Sequence, residues 1–180
     1  MAAEAGWNNL VEKLSAAPIP EDKLAVLRGL LGWTVATGRR GDTPFTRPGT
    51  FVGRWQGTQF PNPMWISGYW EEEKNEANPF PDYTIEFYTY DAVRAVFVNI
   101  GVLAGGCYCQ SESSGPGADR VMTFEGTISS PGLTRPFRRI FHLRDDGASV
   151  SAEVQLDQWK ICWEVEARTV AGFASDPMGS

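Results

Sequence analysis

The chain has 180 residues, a formal net charge of −6, 42% hydrophobic residues and 21% charged residues. That length bounds one domain with a substantial core, and the acidic balance excludes binding along a phosphate backbone, which needs a positive field. The three cysteines, an odd number, do not form a disulfide framework; with no basic-then-apolar leader and no run of about 18 apolar residues, the expectation is a cytoplasmic protein with reduced thiols and neither nucleic acid nor membrane as partner.

In chain order, Trp7, Leu10, Val11 and Leu14 fall close to i, i+3, i+4, i+7 and predict a short amphipathic helix over 7–16. Pro18 and Pro20 end it. Pro20 then suits the first turn of a second helix, with Glu21 and Asp22 against its positive end and Leu24, Leu27, Leu31 and Val35 as its apolar stripe. Residues 1–37 therefore read as a helical segment that packs on or caps the remainder of the fold. Residues 38–49 hold two Pro and three Gly and read as a loop. Its Arg40-Gly41-Asp42 tripeptide, used elsewhere in cell adhesion, is read as a chance occurrence.

From residue 50 the period changes to two. Strands are predicted near 50–59, 64–73, 83–90, 93–101, 105–112, 120–129, 136–145, 149–156 and 159–169, separated by turn signals such as Asn62-Pro63, Tyr90-Asp91 and Asp145-Asp146-Gly147. Residues 171–180 read as a frayed tail. Eight or nine successive strands need a way to remove their edges, and closure into an antiparallel up-and-down barrel over 50–170 does so. A barrel of about eight strands can enclose one small ligand. The alternative is a cone-shaped α+β fold of the NTF2-like kind, a curved sheet wrapped around the N-terminal helices.

On the first of these strands, Gly53-Arg54-Trp55 resembles the Gly-x-Trp signature of the lipocalin-like (calycin-type) barrels. Val121 to Gly126, Phe137 to Leu143, Asp145-Asp146-Gly147 and the closing strand Trp159 to Arg168 resemble uncharacterised bacterial lipocalin-like families. The resemblance implies that Trp55 packs across the closed end of the barrel, that Arg168 covers it, and that the interior holds a small molecule.

The function expected is binding of a small apolar or aromatic metabolite, with no cofactor. Seven Trp, five Tyr and ten Phe supply rings for an apolar wall. Trp55, Trp65, Tyr69, Phe97, Phe124, Phe141 and Trp163 are expected to line it, with Tyr69 and Trp70 near the entrance. Asn99 interrupts an apolar face begun by Val93, Ala95 and Phe97, and a polar side chain there needs a partner. The alternative function is a cofactor-independent enzyme of isomerase, cyclase or dehydratase type, acting on a hydrophobic biosynthetic intermediate. Glu86 with Tyr88 or Tyr90 would supply its acid and base. That requires Thr84, Glu86, Tyr88 and Tyr90 to face inward. The commoner arrangement turns Tyr83, Ile85 and Phe87 to the core and Glu86 to water.

Other chemistry-bearing residues read as structural. His142 is the only histidine, falls on the face of Arg138 and Arg144, and belongs on the exterior. Cys107, Cys109 and Cys162 are core thiols, and no metal site is expected, since closed zinc sites want four ligands. Arg135, Arg138, Arg139 and Arg144 form a local basic cluster read as strand and loop charge able to receive a small anion. Self-association into a homodimer, or service as an interaction module through the helices, stays open.

Overall fold

A computed structural model of the chain describes residues 19–59 and 65–170. The predicted helix over 7–16, the Asn62-Pro63 turn and the 171–180 tail lie outside them. Within them one helix, α1 (Glu21–Arg28), precedes ten strands: β1 (Gly32–Arg40), β2 (Gly49–Gln59), β3 (Trp65–Glu72), β4 (Tyr83–Asp91), β5 (Val96–Leu103), β6 (Tyr108–Ser113), β7 (Val121–Ser130), β8 (Leu133–Arg144), β9 (Gly147–Gln155) and β10 (Trp159–Thr169). Each strand pairs antiparallel with its chain neighbour, and β1 also pairs with β10, so the sheet is a closed barrel.

The closed antiparallel barrel expected from the period-two pattern is present, with ten strands in place of eight or nine. The added strand is β1, which the sequence pattern assigns to helix and loop. α1 stops at Arg28, and Gly32, at φ +90°, turns the chain into extended structure. That region is open to glycine and strained for other residues. Val35, expected on a helical stripe, is an outward-facing, exposed strand residue. Pairing with two partners outweighs the weak helical preference of Thr34, Val35 and Thr37. β5 also starts later than expected. Residues 92–95 form a turn in which Asp91 Oδ1 accepts the amides of Val93 (3.0 Å) and Arg94 (3.1 Å).

Alternation then sorts the side chains. Two apolar clusters fill the ends of the bore. One, under α1, joins Ile19 and Leu27 to Ile66, Tyr88, Tyr90, Phe97, Met122, Phe124 and Phe141. The other joins Cys109, Ile128, Phe137, Ala152, Val154 and Cys162. On the outside, the register aligns Tyr69, Ile85, Val102 and Tyr108 in one exposed apolar row across β3 to β6.

Candidate functional site

Between the two clusters the barrel keeps a cavity of about 340 Å³. Its walls are inward residues of most strands, and its lining runs out past Ala25 and Val26 of α1, past Gly29 just after it, and past Arg120, Arg144 and Gly147, which mark a mouth between the helix and the β8–β9 hairpin. A larger concavity of about 780 Å³ lies across the outer rows of β8, β9, β10, β1 and β2, among His142, Ser149, Ser151, Glu164 and Glu166. The inner space is the candidate site because, among the described residues, the buried charged pairs Arg139–Glu86 and Arg40–Glu72 converge on it.

Glycines shape it. Gly68 and Gly101 flank Glu86 on the inner wall. A Cβ on Gly68 would fall 1.6 Å from the Trp55 ring, and one on Gly53 would fall 2.2 Å from Trp70. The missing side chains let both indoles lie flat across neighbouring strands. Trp55 Nε1 donates to the Leu30 carbonyl at 2.9 Å, just after α1. The tryptophan of the Gly-x-Trp pattern thus sits at the end of the barrel that α1 covers. Arg168 does not cover it. It is an exposed residue on the outer face of β10, opposite Val35 and Gly147.

β4 turns Thr84, Glu86, Tyr88 and Tyr90 inward, which reverses the commoner arrangement: Glu86 is 6% exposed and Ile85 is 48% exposed. The reason is a partner across the bore. Arg139 of β8 reaches Glu86 Oε2 with Nη1 at 2.5 Å and the Tyr88 hydroxyl at 2.9 Å. Tyr88 donates its hydroxyl to the same Glu86 oxygen, and Asn99 Nδ2 approaches it at 3.4 Å. Burial pulls the Arg139 pKa down, but the charges of Glu86, Tyr88 and Cys109 outweigh that and raise it. Burial and then the Glu86 charge hold the Tyr88 hydroxyl well above its ordinary pKa of 10.0.

A second buried pair lies toward the other end. Arg40 Nη1 is 3.3 Å from Glu72 Oε2, and its Nη2 donates to Asn78 Oδ1 at 2.7 Å. Asn78 Nδ2 and the Asp82 amide each donate to Glu72 Oε2 at 2.9 Å. Burial raises the pKa of Glu72 and of Asp82 above the ordinary carboxylate values. Both pairs line the cavity, and among the described residues the Nε atoms of Arg40 and Arg139 are buried without a hydrogen-bond partner.

Of the residues expected to form the site, Trp55, Glu86, Tyr88, Phe141 and Trp163 meet at the cavity. Phe97, Phe124 and Tyr90 stand behind it in the core under α1, with Tyr90 against Phe97 at 4.9 Å between ring centres. Asn99 is fully buried and points inward, where it steadies Glu86. Trp65 and Tyr69 share the outer face of β3, Tyr69 being exposed. Gln56 lies on the outer face of β2. His142 is exposed on the exterior, and all three thiols are buried and free, as expected. Sequence reasoning missed Arg40, Glu72, Asp82 and the inward turn of Arg139. One signal was available for Arg139: it shares the parity of Phe137, Phe141 and Leu143. Arg40, the first residue of the Arg-Gly-Asp tripeptide, spends its side chain inside the barrel.

No family model matches this sequence, and no curated protein matches it. Among solved structures the chain is similar to the crystal structure of Rv2717c from M. tuberculosis, with a TM-score of 0.64 over 82% of this chain and 97% of that one, at 14% identity. A likeness at that identity is one of fold alone.

Proposed function

We propose that this chain binds a small, largely apolar or aromatic molecule inside the barrel. The observation that carries the reading is the cavity of about 340 Å³, walled by Trp55, Trp70, Phe141 and Trp163 and crossed by the Arg139–Glu86–Tyr88 group. Ligand sites combine an apolar wall with a few oriented polar groups, at volumes of roughly 300 Å³ upward. Kinship with the lipocalin-like barrels belongs to the same proposal, supported by the Gly53-x-Trp55 strand and the barrel form. Native mass spectrometry of the purified chain tests it directly, since a carried-over molecule adds mass. A bulky residue at Ala167, on the lining, provides the control. Ala167→Phe should abolish both the added mass and the tryptophan fluorescence change on titration with a naphthalene probe. An unchanged response in that variant would place binding elsewhere and end the reading.

Acid–base chemistry in the same cavity is the second reading, and the contact between Tyr88 and Glu86 is the observation that keeps it. Two features weigh against it. Glu86 is engaged by Arg139, and the Tyr88 proton is held well above neutral pH. If an isomerase, cyclase or dehydratase activity is found, Glu86→Gln should reduce turnover by about a hundredfold or more.

A further inference from the structure

We propose that the molecule held in the cavity offers an uncharged hydrogen-bond acceptor, of carbonyl or ether type, to Arg139 Nε–H, with its apolar body against Trp55, Phe141 and Trp163. This rests on the cavity being the binding site. Arg139 is 2% exposed and lines that space, and its Nη1 is committed to Glu86 and Tyr88. Its Nε is buried with no partner among the described residues. The guanidinium carbon lies 5.1 Å from the centre of the Trp163 ring and 5.8 Å from that of Phe137, so the fork is held in place beside aromatic walls. A guanidinium offers donors only, so what it seeks is an acceptor. Leaving such a donor unpaired away from water is costly, and a ligand that pairs it recovers that cost on binding.

The charge of the surroundings decides the kind of acceptor. Arg139 is already paired with Glu86 and Arg40 with Glu72, the mouth arginines Arg120 and Arg144 are paired with Asp145 and Glu166, and Asp82 adds a further carboxylate to the same lining. Burial raises the pKa of both Glu72 and Asp82, so this interior already resists negative charge. A carboxylate ligand would meet like charges in a low-dielectric space, whereas a ketone, ester or ether oxygen accepts the bond without that repulsion.

Three probes of one shape test this on the full chain by calorimetric titration: 2-ethylnaphthalene, 2-acetonaphthone and 2-naphthoate. The ketone should bind about tenfold or more tighter than the hydrocarbon, as a bond from a charged donor warrants, and tighter than the carboxylate. Its carbonyl stretch should move to lower frequency on binding to the wild-type protein. Arg139→Lys keeps the positive charge beside Glu86 but removes the Nε donor, and should erase the ketone's advantage. The carbonyl frequency decides the matter if that variant does not fold. Equal binding of ketone and hydrocarbon, with an unshifted carbonyl, would overturn the acceptor and leave the cavity reading standing. Tightest binding by naphthoate would overturn the uncharged head group. Binding by none of the three would overturn the cavity reading and this inference with it.

Discussion

Glu86 Oε2 accepts from Tyr88, Arg139 and Asn99 at once, deep in the bore. A buried ion pair is weak evidence for stability but is expensive to break on one side only. Glu86→Gln should therefore destabilise the barrel by about 3–5 kcal/mol in urea unfolding, because it strands the Arg139 charge. Replacing both partners, as Glu86→Leu with Arg139→Met, should restore most of that loss. If the double variant is as unstable as the sum of the singles, the penalty lies in packing and the charges are incidental. The orientation of this group was hard to read from sequence for a physical reason. Tyr83, Ile85 and Phe87 are more apolar than Thr84, Glu86 and Tyr88, so the local pattern of β4 favours the face that in fact points outward. The choice is made by an arginine 53 residues away, which no window on β4 contains. Trp55 and Phe141 were legible because their own strands alternate around them, whereas at Trp163 the pairing of β10 with β9 shifts register and both Cys162 and Trp163 lie inside.

Among the elements, β1 is the one that closes the barrel, and it follows α1 after three residues. Gly32 makes the junction at φ +90°, where an added Cβ would meet nothing within 4 Å. Gly32→Ala therefore tests backbone strain without a clash, and should cost about 1–2 kcal/mol in thermal or urea unfolding with no change in the cavity. A neutral substitution would mean the junction relaxes freely and β1 is not locked by its turn. Nine strands were visible in the sequence because turn residues separate them and stretches of period two run through them. β1 was not, because Leu24, Leu27, Leu31 and Val35 imitate a helical stripe across the point where the helix ends. Only the pairing of Thr34 to Arg40 with both β2 and β10 separates the two states, and that pairing is a property of the closed sheet.

For the whole molecule, the interior charges set a pH dependence. Burial raises Glu72 above its ordinary 4.5 and Asp82 above its ordinary 3.8 in the folded barrel. Each holds its proton more tightly folded than unfolded. The stability each contributes is complete below the unfolded pKa, and it falls as pH rises through the folded one. Asp82→Asn should flatten that decline in urea midpoints measured from pH 4 upward. An identical profile in the variant would show that Asp82 titrates alike in both states. The exposed pairs, such as Arg120–Asp145 and Arg144–Glu166, should matter little by comparison and fade with salt.

Cys109 and Cys162 are sealed within the wall and Cys107 is buried just before β6, and burial pushes Cys162 to about 11. Both conditions deny an alkylating reagent its thiolate while the sheet is intact. Modification must wait for neighbouring strands to part, so the pace of labelling becomes a clock for breathing of the shell. A guest that braces the chamber from within would slow that clock, and its arrival would register without any optical signal of its own.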